Sequence, residues 1–70
     1  MKKLAKKLKV NLGVLEAIEL VNTQANLAKL MGVQQSTIHN WLHTKIPADK
    51  ALLLSKKLNI SLEKLLPDFY

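Results

Sequence analysis

An all-α fold, a compact bundle of about five short helices, is predicted by three features of this 70-residue sequence. Apolar residues recur at helical spacing almost throughout. No stretch shows the strict apolar–polar alternation of a half-buried strand. Single capping or breaking residues, Asn11, Thr23, Gly32, Pro47 and Ser61, punctuate the chain at helix-sized intervals. A chain this short makes one domain with a modest core.

Residues 1–10 form a basic N-terminal extension, carrying Lys2, Lys3, Lys6, Lys7 and Lys9. If residues 2–8 are helical, Met1, Leu4, Ala5 and Leu8 share one face and the lysines the other. The folded domain is expected over residues 11–70. Its first helix runs from about Leu12 to Val21, with Asn11 as N-cap and Val14, Leu15, Ile18 and Val21 opposite Glu16 and Glu19. A second helix follows Thr23, turns Leu27, Ala28 and Met31 inward and stops at Gly32, which accepts a left-handed backbone. The third spans about Gln34 to Leu42, with Val33, Ile38 and Trp41 on one side. Residues 43–46 read as a loop before Pro47. A fourth helix reaches about Leu58 on an Ala51, Leu54 and Leu58 stripe, and Lys56 and Lys57 complement its negative end. Ser61 caps a short fifth helix of Leu62, Leu65 and Leu66, which Pro67 ends.

Eleven lysines, no arginine and five acidic residues give a formal charge of +6, which favours an anionic partner. Beyond residue 9, six lysines meet five acids, so the body carries only +1 and charge alone does not identify a binding face. The chain has no cysteine, which excludes a disulfide framework or thiolate zinc site and fits a reducing cytoplasm. No apolar run is long enough to span a membrane, and the Lys-rich start lacks the apolar segment of a secretory signal.

The residues left outside the predicted core of the third helix are the informative ones. Gln34, Gln35, Ser36, His39, Asn40 and His43 fall along one exposed edge at helical spacing. All are uncharged hydrogen-bonding groups at neutral pH, the chemistry that reads base edges, where Gln and Asn pair with adenine N6 and N7. An ordinary solvated helix face would instead carry Lys and Glu, the stronger helix formers. Ahead of this edge, Ala28 supplies the small side chain and Gly32 the positive φ that a tight helix-turn-helix needs.

The segment from Gln24 to Leu42, with its Ala28, Gly32-Val33, Ile38 and Trp41 pattern, resembles the helix-turn-helix of Cro-type phage repressors in the lambda-repressor-like family. Ile46-Pro47-Ala48 and Leu66-Pro67-Asp68-Phe69 are similar to the loop and ending of compact Cro-like repressors and related prophage antitoxin-type regulators, so the resemblance runs from about Leu15 to Tyr70. It implies that Gln34, Gln35, Ser36, His39 and Asn40 face the major groove of an operator. It places Gln24 against phosphate, where His43 and Lys45 are also expected. Two departures stand out: the Lys-rich extension, and the lack of the C-terminal strand that pairs subunits in some Cro proteins. A preformed homodimer and a monomer that pairs only on DNA both fit.

The expected function is a sequence-specific double-stranded-DNA-binding transcriptional regulator of the host cytoplasm or nucleoid, a repressor by resemblance. The competing class is a protein-interaction module, an antitoxin or adaptor on the same scaffold. An enzyme is not expected: there is no Cys nucleophile, no evident His-carboxylate pair and no Gly-rich phosphate loop. No cofactor, metal, small-molecule ligand or membrane partner is expected. His39 and His43 lie four residues apart, but no cysteine or intervening carboxylate accompanies them. Trp41, in phase with Val33 and Ile38, reads as core rather than as a stacking platform for bases. The basic extension reads as an arm along phosphates, an added packing helix or a solvated tail.

Overall fold

A computed structural model describes residues 10–67; residues 1–9 of the proposed extension, and Asp68, Phe69 and Tyr70, lie outside them. The chain is all-helical there: α1 Leu12–Val21, α2 Gln24–Met31, α3 Gln35–His43, α4 Ala48–Leu58 and α5 Leu62–Leu65, with no strand among the described residues. Helices α1 to α4 surround a core of Val14, Ala17, Leu27, Ala28, Met31, Ile38, Trp41, Leu42, Ile46, Ala51 and Leu54, closed below by Ile60 and Leu65. Trp41 is part of this core, as its phase predicts. No described helix is long and apolar enough to cross a membrane.

Each helix boundary has a local cause. Asn11 caps α1 by accepting a hydrogen bond from the Val14 amide at 3.0 Å. Thr23 caps α2 in the same way through Asn26 N–H at 3.0 Å. The Asn26 side chain then donates to the Val21 carbonyl, satisfying an acceptor that the end of α1 would leave open. Helix α2 ends in a Schellman arrangement: Gly32 sits at φ 69°, its amide bonds to Lys29 O at 3.3 Å, and the Val33 amide reaches back to Ala28 O at 3.0 Å. Asn59, at φ 57°, ends α4, a left-handed position that Asn tolerates better than most residues.

Two boundaries differ from the sequence reading by one residue. Gln34 is extended, with ψ 155°, and is the N-cap of α3 rather than its first residue, and its side chain makes no capping bond. The helix continues through His43 because both the amide and the hydroxyl of Thr44 donate to Asn40 O, adding a final hydrogen-bonded turn. Ile46 is buried, so the connection to α4 is pinned to the core at its centre.

Burial on α1 also differs in emphasis. Leu15, Ile18 and Val21 pack on the core but are only half-buried, whereas Gly13, Val14 and Ala17 are fully enclosed. The inner seam of α1 is therefore made of small side chains, which lets α5 approach closely. Asn11 fixes that approach. Its side-chain nitrogen donates to Leu65 O at 2.8 Å, and its amide donates to Leu42 O at 2.7 Å. One buried residue thus ties the start of α1 to the last turns of α3 and α5, and no buried side-chain polar atom among the described residues lacks a partner.

Candidate nucleic-acid interface

The pair α2 and α3, joined by Gly32, Val33 and Gln34, is held from beneath by α1 and by the buried Leu27, Ile38 and Trp41. Ala28, on the inner face of α2, is almost wholly buried and leaves room for α3 to pack against it. With its apolar side fully used, α3 has one side free. Gln35, Ser36, His39, Asn40 and His43 all lie there and are all exposed, with Gln34 exposed at the cap just before them. The structure therefore places together the six polar residues that the sequence groups on one edge.

Within the described chain, the side chains of Gln34, Gln35, Ser36 and Asn40 engage in no hydrogen bond, so their donors and acceptors remain available to a partner. The imidazoles of His39 and His43 stand one above the other with ring centroids 4.5 Å apart and planes tilted by 54°. The edge carries no acidic side chain, so nothing on it repels a polyanion, and it carries no lysine to attract one. The N-terminus of α3 adds the positive end of its helix dipole beside Gln35 and Ser36.

The expected phosphate contacts fall at the margins. Gln24 is the first residue of α2 and is half-buried, while Lys45 is exposed in the loop after α3. Among residues 10–67, Lys29, Lys45, Lys50, Lys56, Lys57 and Lys64 meet Glu16, Glu19, Asp49 and Glu63, six cations against four anions, a balance of +2. Lys64 is committed to an ion pair with Glu16 at 2.9 Å. Thr37, in the first turn of α3, is half-buried beside the edge and was not among the expected contacts. Its i+1 spacing from Ser36 could have signalled a position flanking the edge. The edge offers hydrogen-bonding side chains, and among the described residues there is no group of three or more His, Cys, Asp or Glu that could hold a metal.

A family model described as "Bacterial toxin YdaS" matches residues 14–70, from the first buried turn of α1 through the last residue. No curated protein and no solved structure matches the chain.

Proposed function

The chain belongs to the bacterial toxin YdaS family, and from that premise we propose that it is a sequence-specific double-stranded-DNA-binding regulator that acts as a Cro-like repressor. The observation that carries the reading is the edge of α3: exposed uncharged donors and acceptors in one row, unengaged by the chain, on a helix whose opposite side is locked into the core. A helix with side chains is about 10–12 Å across, and the B-DNA major groove is about 12 Å wide, so α3 fits with Gln34, Gln35, Ser36, His39 and Asn40 toward base edges. In this reading Gln24 at the start of α2, His43 in the last turn of α3 and Lys45 just beyond it contact phosphates. Occupying an operator would exclude polymerase, and occupying host promoters would make such a protein toxic, consistent with its family's description.

A second reading is favoured by a different observation. Leu12, Leu20, Leu30, Leu52 and Leu53 are large apolar side chains left exposed on α1, α2 and α4, material for a protein-interaction module. In vitro selection from random duplex DNA separates the two. Enrichment of a defined site whose base preference changes with Asn40→Ala supports DNA reading. Absence of enrichment at low salt, where phosphate attraction is strongest, overturns it in favour of a protein partner.

A further inference from the structure

The ring pair on α3 is more than a surface contact. Successive turns present residues four apart on the same helix face, and here both are imidazoles, both exposed, with centroids 4.5 Å apart. Bonds from imidazole nitrogen to a divalent transition ion are about 2.0–2.1 Å, and the ring centre lies roughly 1.2 Å behind the nitrogen, so each ring centre stands about 3.2 Å from a shared ion. Two rings at a right angle about that ion are then about 4.5 Å apart, and at a tetrahedral angle about 5.2 Å. The observed separation is within reach of one shared ion, and among divalent ions nickel(II) and above all copper(II) bind imidazole sites most tightly.

We propose that His39 and His43 form a two-imidazole chelate for copper(II) or nickel(II) on the polar edge of α3. No third His, Cys, Asp or Glu joins them among the described residues, so water completes the coordination and the ion stays exchangeable. A permanent structural ion would be enclosed by protein ligands, whereas an exposed chelate follows the free concentration of the metal. The ion would stand beside Gln35, Ser36 and Asn40, on the edge assigned to base contact. Chelate and duplex therefore exclude each other, a consequence that rests on the DNA reading above, while the chelate itself does not.

The test is a calorimetric titration of the full chain with copper(II) sulfate in a non-coordinating buffer, with nickel(II) and zinc(II) in parallel. It is repeated with His39→Gln, His43→Gln and the double variant, each checked for helicity by circular dichroism. The expected result is one copper per chain, selective broadening of the amide signals of α3 by the paramagnetic ion, and a loss of about a hundredfold in affinity with either single variant, since the second imidazole no longer binds intramolecularly. Equal copper affinity for wild type and double variant overturns the chelate. Addition of copper to the chain on its selected duplex should release the DNA, and a chelator should restore the complex. Simultaneous binding of both overturns the exclusion. Failure of any duplex to be selected would count against the DNA reading, with the copper titration still deciding the chelate.

Discussion

Gly13 and Leu65 meet where α1 crosses α5: a β-carbon on Gly13 would lie 2.8 Å from the main-chain nitrogen of Leu65 and 2.6 Å from the end of its side chain. The side chain can give way, but the backbone nitrogen cannot. Replacement of a helical glycine by alanine ordinarily favours the helix by up to about 1 kcal/mol, and by less in the first turn, where Gly13 lies. Here the overpacking should cost about 1–3 kcal/mol and outweigh that gain. Gly13→Ala is expected to lower the urea midpoint, and an unchanged or higher midpoint would show that α1 and α5 separate without penalty.

Gly32→Ala supplies the contrast. Nothing lies within 4 Å of a β-carbon there, so sterics with the rest of the chain contribute nothing and only the backbone at φ 69° resists. A loss of about 1–2 kcal/mol is expected, with Gly32→Asn milder because Asn tolerates this region. Thermal unfolding of the two variants side by side checks the order, and an Asn variant less stable than the Ala one would contradict it.

Asn11→Ala removes a helix cap, typically about 0.5–2 kcal/mol, and leaves the Leu65 carbonyl without its partner, about 1–3 kcal/mol more where buried. The combined destabilisation should reach about 2–4 kcal/mol, since the two losses share one side chain and do not simply add. Asn11→Ser separates them: it keeps a capping oxygen and is too short to reach Leu65. Its stability should fall between wild type and Asn11→Ala, as measured by denaturant titration.

On the selected operator, Asn40→Ala or Gln35→Ala should weaken binding by about 1–3 kcal/mol and relax the preference at one base position. Lys45→Ala should weaken all duplexes about equally and flatten the salt dependence by roughly one phosphate. Footprints and binding isotherms at two salt concentrations distinguish these patterns. A wild-type footprint from both recognition-helix variants would remove α3 from the interface.

Much of this architecture is legible in the residues. Asn11, Thr23, Gly32 and Ser61 mark boundaries because caps and left-handed turns depend on local chemistry that the sequence carries openly. The polar edge of α3 is legible for a related reason: the periodicity that buries Ile38 and Trp41 dictates which side chains are left outside. What hydrophobic periodicity does not reveal is a seam built from small residues. Gly13 and Ala17 carry little apolar weight, so the sequence points to Leu15 and Ile18, although α5 presses on the glycine. Nor does a cap signal disclose that Asn11 has a second partner far along the chain. The four-residue spacing of His39 and His43 is visible in the sequence, while the approach of the two rings is a matter of rotamers and emerges only from the structure.

The bond between Asn11 and Leu65 joins positions 54 residues apart, and it therefore also sets a schedule. During translation Asn11 is made 54 residues before the acceptor that completes its environment. Until Leu65 clears the ribosome, α1 lacks the surface on which its small-residue seam closes, and α4 lacks the neighbour that α5 supplies. Folding of the domain accordingly waits until Leu65 has left the ribosome, and a messenger broken or stalled before that codon yields a polypeptide without the acceptor that closes the seam between α1 and α5.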